Sequence, residues 1–391
     1  MSVPEIKGWC PGALRPMLSG DGLVVRVRPH GGRLTRDQAQ RIATLAASHG
    51  NGIIELSSRA NIQIRGVSDA SHGPLIDGLS KLGLIDPTTE IEARRNIVVT
   101  PFWQEGDGTS DLVAALAEEL ARPDAPDLPG KFGFAVDTGH LPVLRGVSAD
   151  IRIECAQDGL VVFADSCALG ASASWTNAAE MAVSLAHWFL ETGGSVDGRG
   201  RMAAHLAKKE RLPDAFLVRP LQVLPATPAP TPGRVDAGYL VGFEFGQLQA
   251  KSLSILAESG PMRLTPWRML LVEGVVGAPD IPGLITDPGD SRLRVSACTG
   301  APGCPQALGQ TRAIARALAT SVPIGSHLHV SGCPKGCAHP APSTSTLVAR
   351  RDGLYDLIRD GRAADSPILA GLTPEALVAT PEILTEVHNA P

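Results

Sequence analysis

Apolar and polar positions alternate through "DGLVVRVRPHGGRL", residues 21–34, which reads as a strand ending in a turn at two glycines. An amphipathic helix follows in "TRDQAQRIATLAASHG". A glycine break then leads to a second strand pattern, "IIELSSRANIQIRGV", that passes through an Arg-containing turn. Residues 237–275, "AGYLVGFEFGQLQAKSLSILAESGPMRLTPWRMLLVEGV", repeat the order of strand, turn, helix, glycine and strand, with "TPWRMLLV" where "SSRANIQI" stood. Later segments echo too: "ADIRIECAQDGLVVF" and "STSTLVARRDGLYDLI" both predict hairpins turning at Asp-Gly. The pattern therefore predicts an internally duplicated α+β chain, in which β-α-β units alternate with larger α/β modules.

Proline marks the join between the copies. "RPLQVLPATPAPTPGRVDAG", residues 219–238, suits neither helices nor central strands and predicts an extended linker. Two shorter breaks change the picture less. "LARPDAPDLPGKFG" follows the helical "SDLVAALAEELA" and puts Lys131 on a loop. "DGRGRMAAHLAKKE" matches G-x-G-x-x-A from Gly198, but it follows no strand and lacks the later acidic residue of a dinucleotide site, so a helix start is the expected outcome.

Composition excludes several classes. Of 391 residues, 43% are hydrophobic and 19% charged, with a net charge of −5, so a globular protein without non-specific nucleic-acid binding is expected. No charged start with an apolar run opens the chain, and no apolar stretch is long enough to span a bilayer. A cytoplasmic location is expected, with no membrane association. A reducing compartment and an odd total of seven cysteines argue against structural disulfides, and Cys10, Cys155 and Cys167 are expected as free thiols.

The other four cysteines carry the chemistry. Cys298 and Cys304 lie in "SACTGAPGCPQALG", Cys333 and Cys337 in "VSGCPKGCAHP", each pair where a strand runs into a Gly- and Pro-rich loop. A helix, "PQALGQTRAIARALA", is predicted straight after the first pair. Gly300, Gly303, Gly332 and Gly336 let the backbone bend around a bulky object. Zinc pairs are usually spaced more tightly than C-x5-C, so iron-sulfur ligation is favoured, with zinc or free thiols as the competing readings.

These two motifs resemble those of the sulfite and nitrite reductase family, in which four cysteines hold a 4Fe-4S cluster beside a sirohaem. The resemblance implies two ferredoxin-like half-modules and two larger α/β modules around a pseudo-two-fold axis. Here they would be half-modules at 1–80 and 236–285, and α/β modules at 88–215 and 290–385, the last carrying the cysteines. It also implies site residues. Arg26 and Arg95 match arginines on the distal side of the tetrapyrrole, and Lys131 matches the first of two distal lysines; the second position is Gly133. Arg59 and Gln63 match residues that hold tetrapyrrole carboxylates, with Ser57 and Asn61 on the same turn. Cys337 matches the cysteine nearest the tetrapyrrole. Taken singly, a strand-end arginine is more often solvated or paired with a carboxylate.

The missing lysine argues against reduction of an oxyanion, which calls for concentrated positive charge. "KGWCPGALRPMLSGDGLVVRVRPHGGRL" and "GCPKGCAHP" are also similar to the precorrin-3B synthases of aerobic cobalamin synthesis. That branch implies an enzyme whose pocket holds the substrate precorrin-3A, which it hydroxylates with O2 at C20, closing a γ-lactone. Electrons would come from NADH through a separate reductase, by way of the cluster. A mononuclear non-haem iron is a further expectation, with His30 and His339 as candidates. Sirohaem belongs only to the alternative, a sulfite or nitrite reductase. A non-catalytic iron-sulfur or zinc protein is the second alternative.

Overall fold

A computed structural model describes residues 11–139, 141–156, 158–221 and 229–385. Cys10 and residues 222–228 of the expected linker lie outside the described residues. The linker's flanks are strands instead of open chain, since proline is tolerated at sheet edges.

The first repeat supplies β1 (Met17–Ser19), β2 (Gly22–Val27), β3 (Arg33–Leu34), α1 (Arg36–His49), β4 (Ile53–Leu56) and β5 (Ile62–Val67), followed by α2 (Asp69–Ser80) and α3 (Thr89–Arg94). Thr35 and Gln38 close a capping box at the start of α1, and Ala39, Ile42, Ala43 and Ala46 form its buried stripe. The first α/β module holds β6 (Ile97–Val99), α4 (Thr109–Ala121), β7 (Phe134–Asp137), β8 (Ile151–Ala156), β9 (Gly159–Ala164), β10 (Leu169–Ala173), α5 (Ala178–Glu191), α6 (Met202–Leu206) and β11 (Arg219–Pro220).

The second repeat adds β12 (Gly233–Val235), β13 (Gly238–Phe243), β14 (Gln247–Gln249), α7 (Ala250–Ser259), β15 (Met262–Leu264), β16 (Met269–Glu273) and β17 (Leu284–Ile285). The last module holds β18 (Val295–Ala297), α8 (Arg312–Leu318), β19 (Leu328–Ser331), β20 (Ser343–Ala349), β21 (Tyr355–Gly361) and β22 (Leu369–Leu372).

Duplication is visible in the pairings. The sheets β6-β7-β8-β9-β10 and β18-β19-β20-β21-β22 share one topology, with two parallel pairings followed by two antiparallel ones. The two half-modules also exchange edge strands: β14 pairs with β4, and β3 pairs with β15. Each exchanged strand is entered through left-handed backbone, at Gly31 and Gly32 (φ 60 and 67) and at Phe245 and Gly246 (φ 56 and 72). α1 and α7 then bury Ile42, Ala46, Leu253 and Leu256 in one core common to both copies. Each large aliphatic side chain in that core contributes about 1.5–3 kcal/mol. The α/β modules keep separate cores, around Phe132, Phe134 and Phe189 in the first and around Val330, Leu347 and Leu357 in the second.

One element departs from the sequence pattern. The helix expected straight after Cys304 starts only at Arg312. Residues 301–311 spend their hydrogen bonds across the loops instead: Leu308 N–H donates to Gly332 O at 2.7 Å, and Ala301 N–H to Gly309 O at 2.9 Å. Those bonds take backbone groups that a longer helix would have needed.

Candidate functional site

Parallel β18 and β19 lie side by side, and both cysteine loops leave their carboxyl ends, where α/β sheets characteristically open a binding crevice. Cys298 follows β18 and Cys333 follows β19 by two residues. Gly332 N–H, at the mouth of the second loop, points to Cys298 Sγ at 3.2 Å. Thr311 Oγ1 donates to Cys298 O at 2.6 Å and fixes the same turn from the other side. The Cys333 thiol is pushed up by burial and, more weakly, by Cys298 and Cys304, against which the Lys335 N–H works in the other direction. Cys337 is exposed and interacts with the other three sulfurs.

Among the described residues no group of three or more His, Cys, Asp or Glu side chains could hold a metal ion. Four thiols on two glycine-bent loops, with a backbone N–H aimed at one sulfur, are the donor types that an iron-sulfur cluster takes.

The floor facing these loops is the polar side of the first half-module. Arg26, Gln63, Glu55 and Gln247 stand in register across β2, β5, β4 and β14, and so share one face. Arg65, two residues beyond Gln63, lies on that face as well. Glu55, 8% exposed, receives Arg312 Nη2 at 2.6 Å and lies 3.6 Å from Arg65 Nη1. Arg65 also holds Asp21 at 2.6 Å and donates to Gly303 O at 3.1 Å. Gly303 O accepts from Ser19 Oγ at 2.6 Å and from Gly20 N–H at 3.1 Å. A Cβ on Gly20 would fall inside van der Waals contact of Pro302 O, so the floor admits only glycine where the first cysteine loop docks.

The residues expected to bind a substrate fall into three groups. Arg59 and Lys131 are brought together, since Arg59 Nη2 donates to Lys131 O at 3.0 Å and the Lys131 side chain is exposed. Arg26 and Gln63 face each other on the floor. Ser57 and Asn61 shape the turn: Ser57 Oγ accepts Arg59 N–H at 3.3 Å and Asn61 N–H at 3.2 Å, and Ser57 N–H donates to Asn61 O at 2.9 Å.

Arg95 is committed elsewhere. Its Nε and Nη2 each lie 2.7 Å from an Asp86 carboxylate oxygen, both side chains almost wholly buried, and Nη2 also donates to Arg28 O at 2.9 Å. It lines a cavity of about 580 Å³ with His30, Arg33, Trp103, Arg263 and Glu273, none of them among the cysteine loops. Burial, followed by the charge of Arg95, holds the His30 imidazole below its ordinary range. His339 has different neighbours, so the two histidines expected around a second iron are not joined in a triad.

Position 133 has a structural reason to lack a lysine. A Cβ there would lie 2.5 Å from Asn96 Nδ2, which donates to Phe132 O at 2.7 Å. Asn96 fills the space.

Sequence reasoning missed three features beside the cysteines. Glu55, Arg65 and Arg312 form the buried bridge between floor and cysteine module. His327, His329 and His339 cluster, with ring centroids 4.3 Å apart for His327 and His339 and 5.9 Å for His329 and His339. Burial, then the neighbouring imidazoles, push His329 down to about 3 and His327 to about 4. Arg268 reaches from the β15–β16 turn into the second cysteine loop, donating to Ala338 O at 2.9 Å. The aligned repeats carried a signal for Arg268, because it stands where Ala60 stands in the first copy.

The comparisons with known proteins agree with this architecture. Residues 15–82 match the nitrite/sulfite reductase ferredoxin-like half domain. A precorrin-3B synthase of Sinorhizobium sp is 30% identical, over 92% of this chain and 84% of that protein. A ferredoxin–nitrite reductase of Synechococcus elongatus is 23% identical, over 87% and 79% of the respective chains. The solved structure of the Mycobacterium tuberculosis NirA protein superposes with a TM-score of 0.59 at 17% identity, over 94% of this chain and 82% of that one, a likeness of fold.

Proposed function

We propose, since this chain belongs to the precorrin-3B synthase branch of the nitrite and sulfite reductase family, that it hydroxylates precorrin-3A at C20 with O2 and closes the γ-lactone during cobalamin biosynthesis. The observation that carries the reading is the 30% identity to a precorrin-3B synthase over nearly the whole chain. The closed space at Gly133 supports it against reduction of an oxyanion, because a second lysine would have to displace Asn96.

Cys298, Cys304, Cys333 and Cys337 would hold the 4Fe-4S cluster, which when bound supplies electrons one at a time. The chain's own residues do the rest. Arg59 and Arg26 offer guanidinium forks to the acetate and propionate groups that rim the macrocycle, and Gln63 adds an amide on the same face as Arg26. Lys131 adds an exposed cation whose backbone is tied to Arg59.

The balance is that of a monooxygenase: one oxygen atom enters the substrate, the other leaves as water, and NADH supplies two electrons through a separate reductase.

The runner-up, a sirohaem-dependent nitrite or sulfite reductase, is favoured by the 23% identity to a ferredoxin–nitrite reductase. Incubation with precorrin-3A, NADH, a reductase and O2 separates the two. Product heavier by one oxygen atom, labelled from 18O2, is expected. Unchanged precorrin-3A beside turnover of nitrite or sulfite would overturn the proposal.

A further inference from the structure

Arg268 occupies a position that the backbone gives it no reason to hold. It is the left-handed residue of the β15–β16 turn, with φ 59, as Ala60 is of the β4–β5 turn, with φ 52. The turns match in detail: Thr265 Oγ1 accepts Met269 N–H at 3.2 Å, as Ser57 Oγ accepts Asn61 N–H at 3.2 Å. Glycine or asparagine would relieve the strain at this φ. The site is crowded as well, for a Cβ on Gly246 would lie 2.8 Å from Arg268 Cβ.

What the side chain reaches explains its presence. It leaves the half-module and donates to Ala338 O, the carbonyl directly after Cys337. Burial acts on its charge most strongly, and its charged neighbours are Glu55, Arg312 and Cys298. Glu55 already has Arg312 and Arg65, so that carboxylate does not call for a third cation.

We propose that Arg268 is a positioning residue for the iron-sulfur group, anchoring the Cys337 loop through Ala338 and raising the cluster's reduction potential. The inference rests on the iron-sulfur reading above. A guanidinium beside a cluster thiolate in a low-dielectric setting favours the state with the extra electron, and net charge and hydrogen bonding around the sulfurs are what set such potentials. The first repeat makes no comparable demand. Its turn keeps alanine at the strained position.

The test is a redox titration of the anaerobically reconstituted chain, followed by visible and electron paramagnetic resonance spectra, for wild type, Arg268→Lys and Arg268→Gly. Arg268→Gly, which relieves the left-handed strain but loses the bond to Ala338 O, is expected to show a lower midpoint potential and altered signals of the reduced cluster. Arg268→Lys keeps the charge and is expected to fall between the two. A midpoint in Arg268→Gly equal to that of the wild type, with the cluster intact, overturns the inference alone. A wild-type chain that takes up no iron and sulfide overturns the iron-sulfur reading and the inference with it.

Discussion

The two α/β modules share a backbone plan and differ in what stands at the ends of its parallel strands. In register, Thr100 follows β6 where Cys298 follows β18, Ala135 in β7 matches His329 in β19, and Gly139 stands where Cys333 does. The half-modules show the same divergence. Glu55 and Arg65 in β4 and β5 correspond to Arg263 and Glu273 in β15 and β16, the same pair with its charges exchanged.

On the cysteine side the pair reaches outward, with Glu55 receiving Arg312 and Arg65 holding the Gly303 carbonyl. On the other side it faces a cavity. Arg263 and Arg33 both grip Glu273 at 2.7 Å, while Arg263 donates to Pro101 O at 2.9 Å and lies 3.8 Å over the Trp103 ring. One scaffold thus docks the cysteine loop in one copy and lines a cavity beside the first α/β module in the other. Function resides in the side chains grafted on it.

The largest way to break this contrast is through the cysteines. Cys333→Ala is expected to abolish uptake of iron and sulfide and reduce activity by more than about a hundredfold, as losses of groups that act as a unit do. Gly139→Ala, at the matching place in the other module, should leave both unchanged; elemental analysis and turnover of the two variants check this.

Acid sensitivity is the next difference. His327 and His329 have folded pKa values of about 4 and about 3, below the unfolded value near 6.5. Between those limits the unfolded chain binds more protons, so stability is fully present above about pH 6.5 and is lost as pH falls towards 3. His329→Ala, which borrows the residue of the other module, is expected to flatten this limb in denaturant unfolding measured from pH 7 to pH 4.

A smaller effect compares the exchanged pairs. Glu55→Gln and Glu273→Gln should each cost roughly 2–3 kcal/mol, because Arg312 and Arg263 lose their carboxylate in a largely buried setting, while Arg65 keeps Asp21. Only Glu55→Gln is expected to lower cluster content, since only that pair meets the cysteine module. Equal loss of iron in both variants would contradict the difference drawn between the copies.

Much of this was legible in the chain. Period-two and helical patterns revealed the repeats, the Asp-Gly hairpins fell where β8–β9 and β20–β21 turn, and the cysteine spacing pointed to the strand ends. The strand exchange was not legible, because β3 and β14 are two and three residues long and their partners lie more than 190 residues away. No local pattern encodes such a pairing. The partner of Arg95 was hidden for a related reason: Asp86 precedes it by nine residues across a helix, and only the fold shows that the two are buried together. Glycine at 133 read as an absent lysine, whereas the structure adds that Asn96 has taken the room.

Composition of the purified chain tests the central claim most directly. Protein prepared anaerobically would be analysed for iron, acid-labile sulfide, zinc and extractable tetrapyrrole. Four irons and four sulfides per chain, as one 4Fe-4S cluster requires, without zinc or sirohaem, are predicted. Stoichiometric sirohaem, or zinc without sulfide, would contradict the account.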